Sequence, residues 1–327
     1  MDCNLPRGHE RERFFKFVSS KNILKLDLLC LTHPHEDHYT GMDAVVEYFT
    51  SNGHSIGVFC DSGIDPRQIS LLLRKRKRPP KFVQEFDRLY VKLREFFKSE
   101  KIEYIRADRY TATIPLGLES NRMQLLPLGP KPQISNELAF GELSSEGFRG
   151  DLNRISVVLA LMVQRAPQKF DALLAADTDG EGFNSAREGL MAKTQTRSAP
   201  CFDFVKVAHH GSLDSHRNSE ACLCRKVNRE CIAAISAGSK GDFNVLPDRE
   251  VLSDYLNNKW KVILTTKRIR ADNQSLLNVF GGKPGQSTSQ DYDLCITWSA
   301  GKGLRYTPLA ATLDHSELGA YQTAKRK

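Results

Sequence analysis

Nowhere in the 327 residues does an apolar run reach the roughly 20 residues that a membrane-spanning helix requires. The opening stretch, MDCNLPRGHERERFF, holds no apolar core of the kind that directs secretion. These two absences give the expectation of a cytoplasmic protein without membrane insertion. The eight cysteines follow no common zinc-binding spacing, Cys222, Cys224 and Cys231 included. They are scattered, mostly through apolar segments, and read as buried thiols of a reducing compartment. No internal repeat recurs at a useful period, which sets aside solenoids and propellers. Histidine is scarce, with nine in the chain.

What is present suffices for a large core, since hydrophobic residues make up 40% of the chain. The net charge of +8 permits a polyanionic partner. Short apolar runs predict strands at Lys25–Thr32, Ile56–Cys60, Ile102–Arg106, Met123–Pro127, Ile155–Gln164, Phe170–Ala176, Phe204–Ala208, Cys231–Ser236, Lys261–Thr265 and Leu294–Trp298. Helical spacing marks Gly41–Phe49 and Phe82–Ser99, and the polar Arg268–Gln290 reads as a surface loop. This alternation predicts an α/β fold of sheets flanked by helices.

A third of the histidines fall within six residues, in CLTHPHEDHYTGM, where a strand gives way to a helix. His33, His35, Asp37 and His38 place four donors too close together to surround one tetrahedral ion comfortably. Imidazole suits zinc, iron and manganese, and carboxylate suits harder ions. Two ions side by side resolve the crowding, His33 and His35 on one, Asp37 and His38 on the other. Asp177, delivered at a strand end by LLAAD, is the candidate bridging carboxylate. His209 and His210 follow the strand FVKVA. Taken singly, Asp177 is also a turn residue and the histidine pair a polar strand end; together the three segments are far more specific.

THPHEDHYTGM, LLAADTDGEG and FVKVAHHGS, in that order, resemble the metallo-β-lactamase fold superfamily. Asn153-Arg-Ile-Ser156 before VVLAL, and AISAGSKGDFNVLPDREVL after HHGS, are similar to its soluble ComEC-like branch, relatives of the competence-protein hydrolase domain. The resemblance spans residues 2 to about 308, with 309–327 left as a polar tail. It implies an αββα sandwich with a two-metal site holding zinc or manganese. His33, His35, Asp37 and His38 would be ligands, Asp177 the bridge, and His209 or His210 the last ligand, with His209 preferred. Asp2 would orient a ligand histidine, and Asn153 and Ser212 would stand beside the site or contact substrate.

Three departures accompany it. Asp2 matches the end of an early strand, so the first strands of the sandwich are expected to be missing. A metal histidine common between the first cluster and the bridging aspartate is absent, His54 standing too early. Leu246 replaces the histidine that often precedes the proline at Pro247. The implied chemistry is hydrolysis by a metal-bound hydroxide, with Asp37 as the catalytic carboxylate. Arg74, Lys75, Arg76, Lys77 and Arg78 form a basic run suited to a phosphate backbone, which, with the resemblance, points to a phosphodiesterase or nuclease acting on DNA or RNA. A metallohydrolase of a small phosphoester, lactone, lactam or thioester, and a degenerate binding subunit, are the alternatives.

Overall fold

The computed structural model describes residues 5, 8–75, 79–116, 123–135, 152–165, 168–195, 201–216, 225–226, 230–236, 247–264, 293–299 and 303–309. β1 (Lys25–Cys30), β2 (Ser55–Asp61) and β3 (Glu103–Arg106) form a parallel sheet. β4 (Ile114–Pro115), β5 (Met123–Pro127), β6 (Leu159–Arg165), β7 (Gln168–Leu174), β8 (Phe204–Lys206), β9 (Ile232–Ile235) and β10 (Lys261–Leu264) form a second sheet. Its order is β10-β9-β8-β7-β6-β5-β4, parallel from β7 to β10 and antiparallel from β4 to β7. β11 (Asp293–Ser299) and β12 (Gly303–Leu309) pair as an antiparallel hairpin. The α/β class expected from the alternation is the class observed.

The strands expected from apolar runs are present, Met123–Pro127 with the expected ends and the others with shifted ends; β4 and β12 were not anticipated. Arg268–Gln290 lies outside the described residues. β6 begins at Leu159 rather than at Ile155, because residues 152–156 turn back on themselves: the Ile155 and Ser156 amides donate to the Leu152 and Asn153 carbonyls.

Three apolar layers show how the elements stack. Cys30 and Cys60 of the first sheet pack with Ile114, Leu125 and Leu159 of the second. The far side of the first sheet is covered by the helices Met42–Ser51, Pro66–Lys75 and Pro80–Lys98. The far side of the second is covered by Gly180–Thr194 and Arg249–Asn257. Among the described residues no helix is long and apolar enough to cross a membrane.

The helix Pro80–Lys98 shows why the sequence folds this way. Proline opens it, where a missing amide proton is harmless, and Val83, Phe86, Leu89 and Leu93 recur on one buried face. Leu89 is wholly buried, so Leu89→Ala is expected to destabilise the chain by about 2–5 kcal/mol, read from a denaturant midpoint. A change below about 1 kcal/mol would contradict this packing.

Cys30, Cys60 and Cys231 are free and buried, as expected. Cys201 corrects that expectation: it is disulfide-bonded.

Candidate metal centre

One edge of the structure gathers three strand ends. β7 and β8 run parallel and end together, and β6, antiparallel to β7, starts at that same edge. The first sheet is tied there through Val157, whose amide donates to the carbonyl of Thr32 (2.9 Å). The residues following β1, β7 and β8 therefore meet, and these are His33–His38, Asp177 and His209.

His33 and His35 sit in the loop, whereas Asp37 and His38 lie on the short helix Glu36–Tyr39. The turn ends at Gly41, whose left-handed backbone (φ +81°) and tight approach to the Leu5 carbonyl exclude a side chain. Thr32 is fully buried and its hydroxyl lies 3.2 Å from His33 Nδ1 and 3.5 Å from His38 Nδ1. Both rings are thereby turned so that Nε2 faces the edge. His33 Nε2 lies 2.8 Å from His35 Nδ1, and His38 Nε2 lies 3.3 Å from Asp177 Oδ2 and 3.6 Å from Asp37 Oδ2.

His33, His38 and Asp177 are all buried, and their donor atoms lie within 4.8 Å of one another. Burial and the neighbouring His38 hold His33 well below its ordinary pKa, and burial lowers His35 to about 4. Burial alone would raise Asp177, but the hydrogen bond from His38 and the charges of His33, His38 and Lys206 outweigh it and hold the carboxyl well below its usual range. At neutral pH His33 and His35 are neutral imidazoles beside a carboxylate, a protonation state that binds cations. Asp177 Oδ1 is buried and has no hydrogen-bond partner among the described residues. A buried anionic oxygen left unpaired is costly, and a bound cation would satisfy it.

His209 joins this group electrostatically. Burial lowers its pKa, and the charges of Asp177, His210, Asp37 and His38 act on it. His209 (φ +43°), His210 (φ +56°) and Ala176 (φ +52°) all adopt left-handed backbone conformations, and the His209 amide donates to the Ala176 carbonyl (3.1 Å). Three such residues beside the cluster store strain that the packing around them must hold. The His210 ring is held by Nδ1, which donates to the carbonyl of Ser236, beyond β9.

The remaining expected residues divide. Asn153 is buried, with its Oδ1 unpartnered among the described residues. Ser212 takes part through its backbone, its amide donating to the His209 carbonyl (2.9 Å). Sequence reasoning missed Ser215, whose hydroxyl lies 3.0 Å from His209 Nδ1 and which stands in no motif, and Thr32, which opens the histidine motif but was given no role. Asp2, the Lys75 side chain, Arg76, Lys77 and Arg78 lie outside the described residues. Arg74 is committed to an ion pair with Asp87 (2.9 Å).

The buried imidazoles make metal-free stability depend on pH. An unfolded histidine titrates near 6.5, whereas folded His35 titrates at about 4 and His33 is lowered too. Between those values the unfolded chain binds more protons, so stability falls as pH drops from about 6.5 toward 4. Asp177 contributes in a lower window, below the unfolded carboxylate value near 3.9. Thermal melts of metal-free chain are expected to give a lower Tm at pH 5 than at pH 7; equal values would contradict neutral, buried imidazoles.

No family model, no curated protein and no solved structure matches the chain.

Proposed function

We propose that the chain is a metal-dependent hydrolase, a phosphodiesterase or nuclease, with its centre at this edge. The observation that carries the reading is the convergence of His33, His38 and Asp177 from separate strand ends into one buried cluster. The layered packing of helices, two sheets and helices supports the αββα sandwich that the sequence resemblance implies.

His33, His35, Asp37, His38, Asp177 and His209 would hold two divalent ions, zinc or manganese. Bound there, the ions would supply Lewis acidity toward a water molecule and toward a substrate oxygen. The protein's part is organisation. His33 and His35 enter as neutral donors, so no proton must be displaced from them at pH 7. Asp177 brings a negative charge and an unsatisfied Oδ1. Asp37, on the exposed side of the cluster, can accept a proton at Oδ2 from attacking water. The Thr32 hydroxyl holds His33 and His38 in orientation.

A phosphodiester substrate is supported by the resemblance and by the basic run at 74–78. The ion pair of Arg74 with Asp87 removes one cation from that run and favours, as a second reading, a smaller phosphoester. Full-length chain with Mn²⁺ or Zn²⁺ is expected to cleave single- or double-stranded DNA, or a chromogenic phosphodiester. Chelator is expected to abolish that activity, and Asp37→Ala to lower it about 100-fold or more, the range of general-base effects. Cleavage only of the small chromogenic compound selects the second reading; absence of any cleavage would contradict both.

A further inference from the structure

We propose that Ser215 is a positioning residue that fixes the orientation and tautomer of His209, so that this loop imidazole can complete the centre. This deepens the metal-centre reading and rests on it.

His209 Nδ1 faces Ser215 Oγ at 3.0 Å, and Ser215 is buried. The ring's Nε2 is then the nitrogen left for the cluster. The charges acting most strongly on His33 and His35 include His209 and not His210. His210 is anchored separately, its Nδ1 donating to the Ser236 carbonyl, and its ring centroid stands 6.1 Å from that of His209. An imidazole that gives its Nε2 lone pair to a cation carries its proton on Nδ1. Ser215 Oγ is placed to accept that proton's hydrogen bond.

The hydroxyl is itself held in place. Ser215 lies on the short helix Leu213–His216. The Leu213 amide donates to Asp248 Oδ2 (2.6 Å), and His216 Nε2 lies 2.9 Å from Asp254 Oδ2. Both acceptors belong to the start or body of the helix Arg249–Asn257. His209 has a left-handed backbone (φ +43°), so the serine acts beside a strained position.

The test uses the full chain with ¹⁵N-labelled histidine, metal-free, and His209→Gln to assign the ring. Long-range proton–nitrogen spectra are expected to show His209 as the Nδ1–H tautomer, with the Nε2–H form appearing in Ser215→Ala. Calorimetric titration with zinc or manganese is expected to show one ion bound about 10–100-fold more weakly by Ser215→Ala, the range for lost support behind a ligand. Ser215→Thr is expected to restore affinity, and adding Ser215→Ala to His209→Gln to weaken binding no further. A wild-type Nε2–H tautomer, undiminished affinity in Ser215→Ala, or a loss that persists on the His209→Gln background would overturn the proposal alone. A wild-type chain that binds neither ion would overturn the metal-centre reading and this inference with it.

Discussion

Asp177→Ala is expected to lower phosphodiester hydrolysis by about 1,000-fold or more, with at least one divalent ion lost per chain. Asp177 presents a buried carboxylate to His38 while its second oxygen has no hydrogen-bond partner among the described residues. Removing it takes away the negative charge beside which the imidazoles gather. Metal ions contribute several kcal/mol of transition-state stabilisation, and about 4 kcal/mol corresponds to three decades in rate. Asp177→Asn sharpens the test because it keeps shape and loses charge. If activity and metal content survive in both variants, the centre lies elsewhere.

Gly211→Ala is expected to be the most damaging single-methyl change in the His209 loop. Gly211 takes a left-handed conformation (φ +81°), and an added Cβ would lie 2.6 Å from Pro247 Cβ. The Gly211 carbonyl also accepts from the Asp248 amide (2.9 Å), so the loop cannot shift without breaking that bond. Left-handed backbone costs about 1–2 kcal/mol for a residue with a side chain, and overpacking adds about 1–3 kcal/mol. A total loss near 2–5 kcal/mol is expected in denaturant titrations. Because His209 and His210 precede it directly, metal affinity should fall too. A stability loss under about 1 kcal/mol would show that Pro247 gives way.

Much of this was legible in the sequence. Apolar runs marked β1, β2, β7 and β8, and the groups that meet at the edge are those at the ends of such runs. The convergence of His33, His38 and Asp177 followed from strands delivering polar residues to one edge. What escaped was set through space. Ser212 ends the HHGS motif and drew the expectation, yet the hydroxyl that reaches His209 belongs to Ser215. The chain turns at Gly211 and begins a helix at Leu213, so the serine one turn onward faces back. The basic run read as free charge, but Arg74 meets Asp87 on the neighbouring helix, thirteen residues away. β4, two residues long, is too short for any periodicity to register.

Metal content tests the central claim most directly. Full-length chain, dialysed against zinc or manganese and then against metal-free buffer, is weighed by elemental mass spectrometry beside Asp177→Ala. Two divalent ions per wild-type chain, and fewer than one in the variant, are the predicted result. Fewer than one ion per wild-type chain would contradict the metal centre and leave the cluster as a buried polar network without catalytic work.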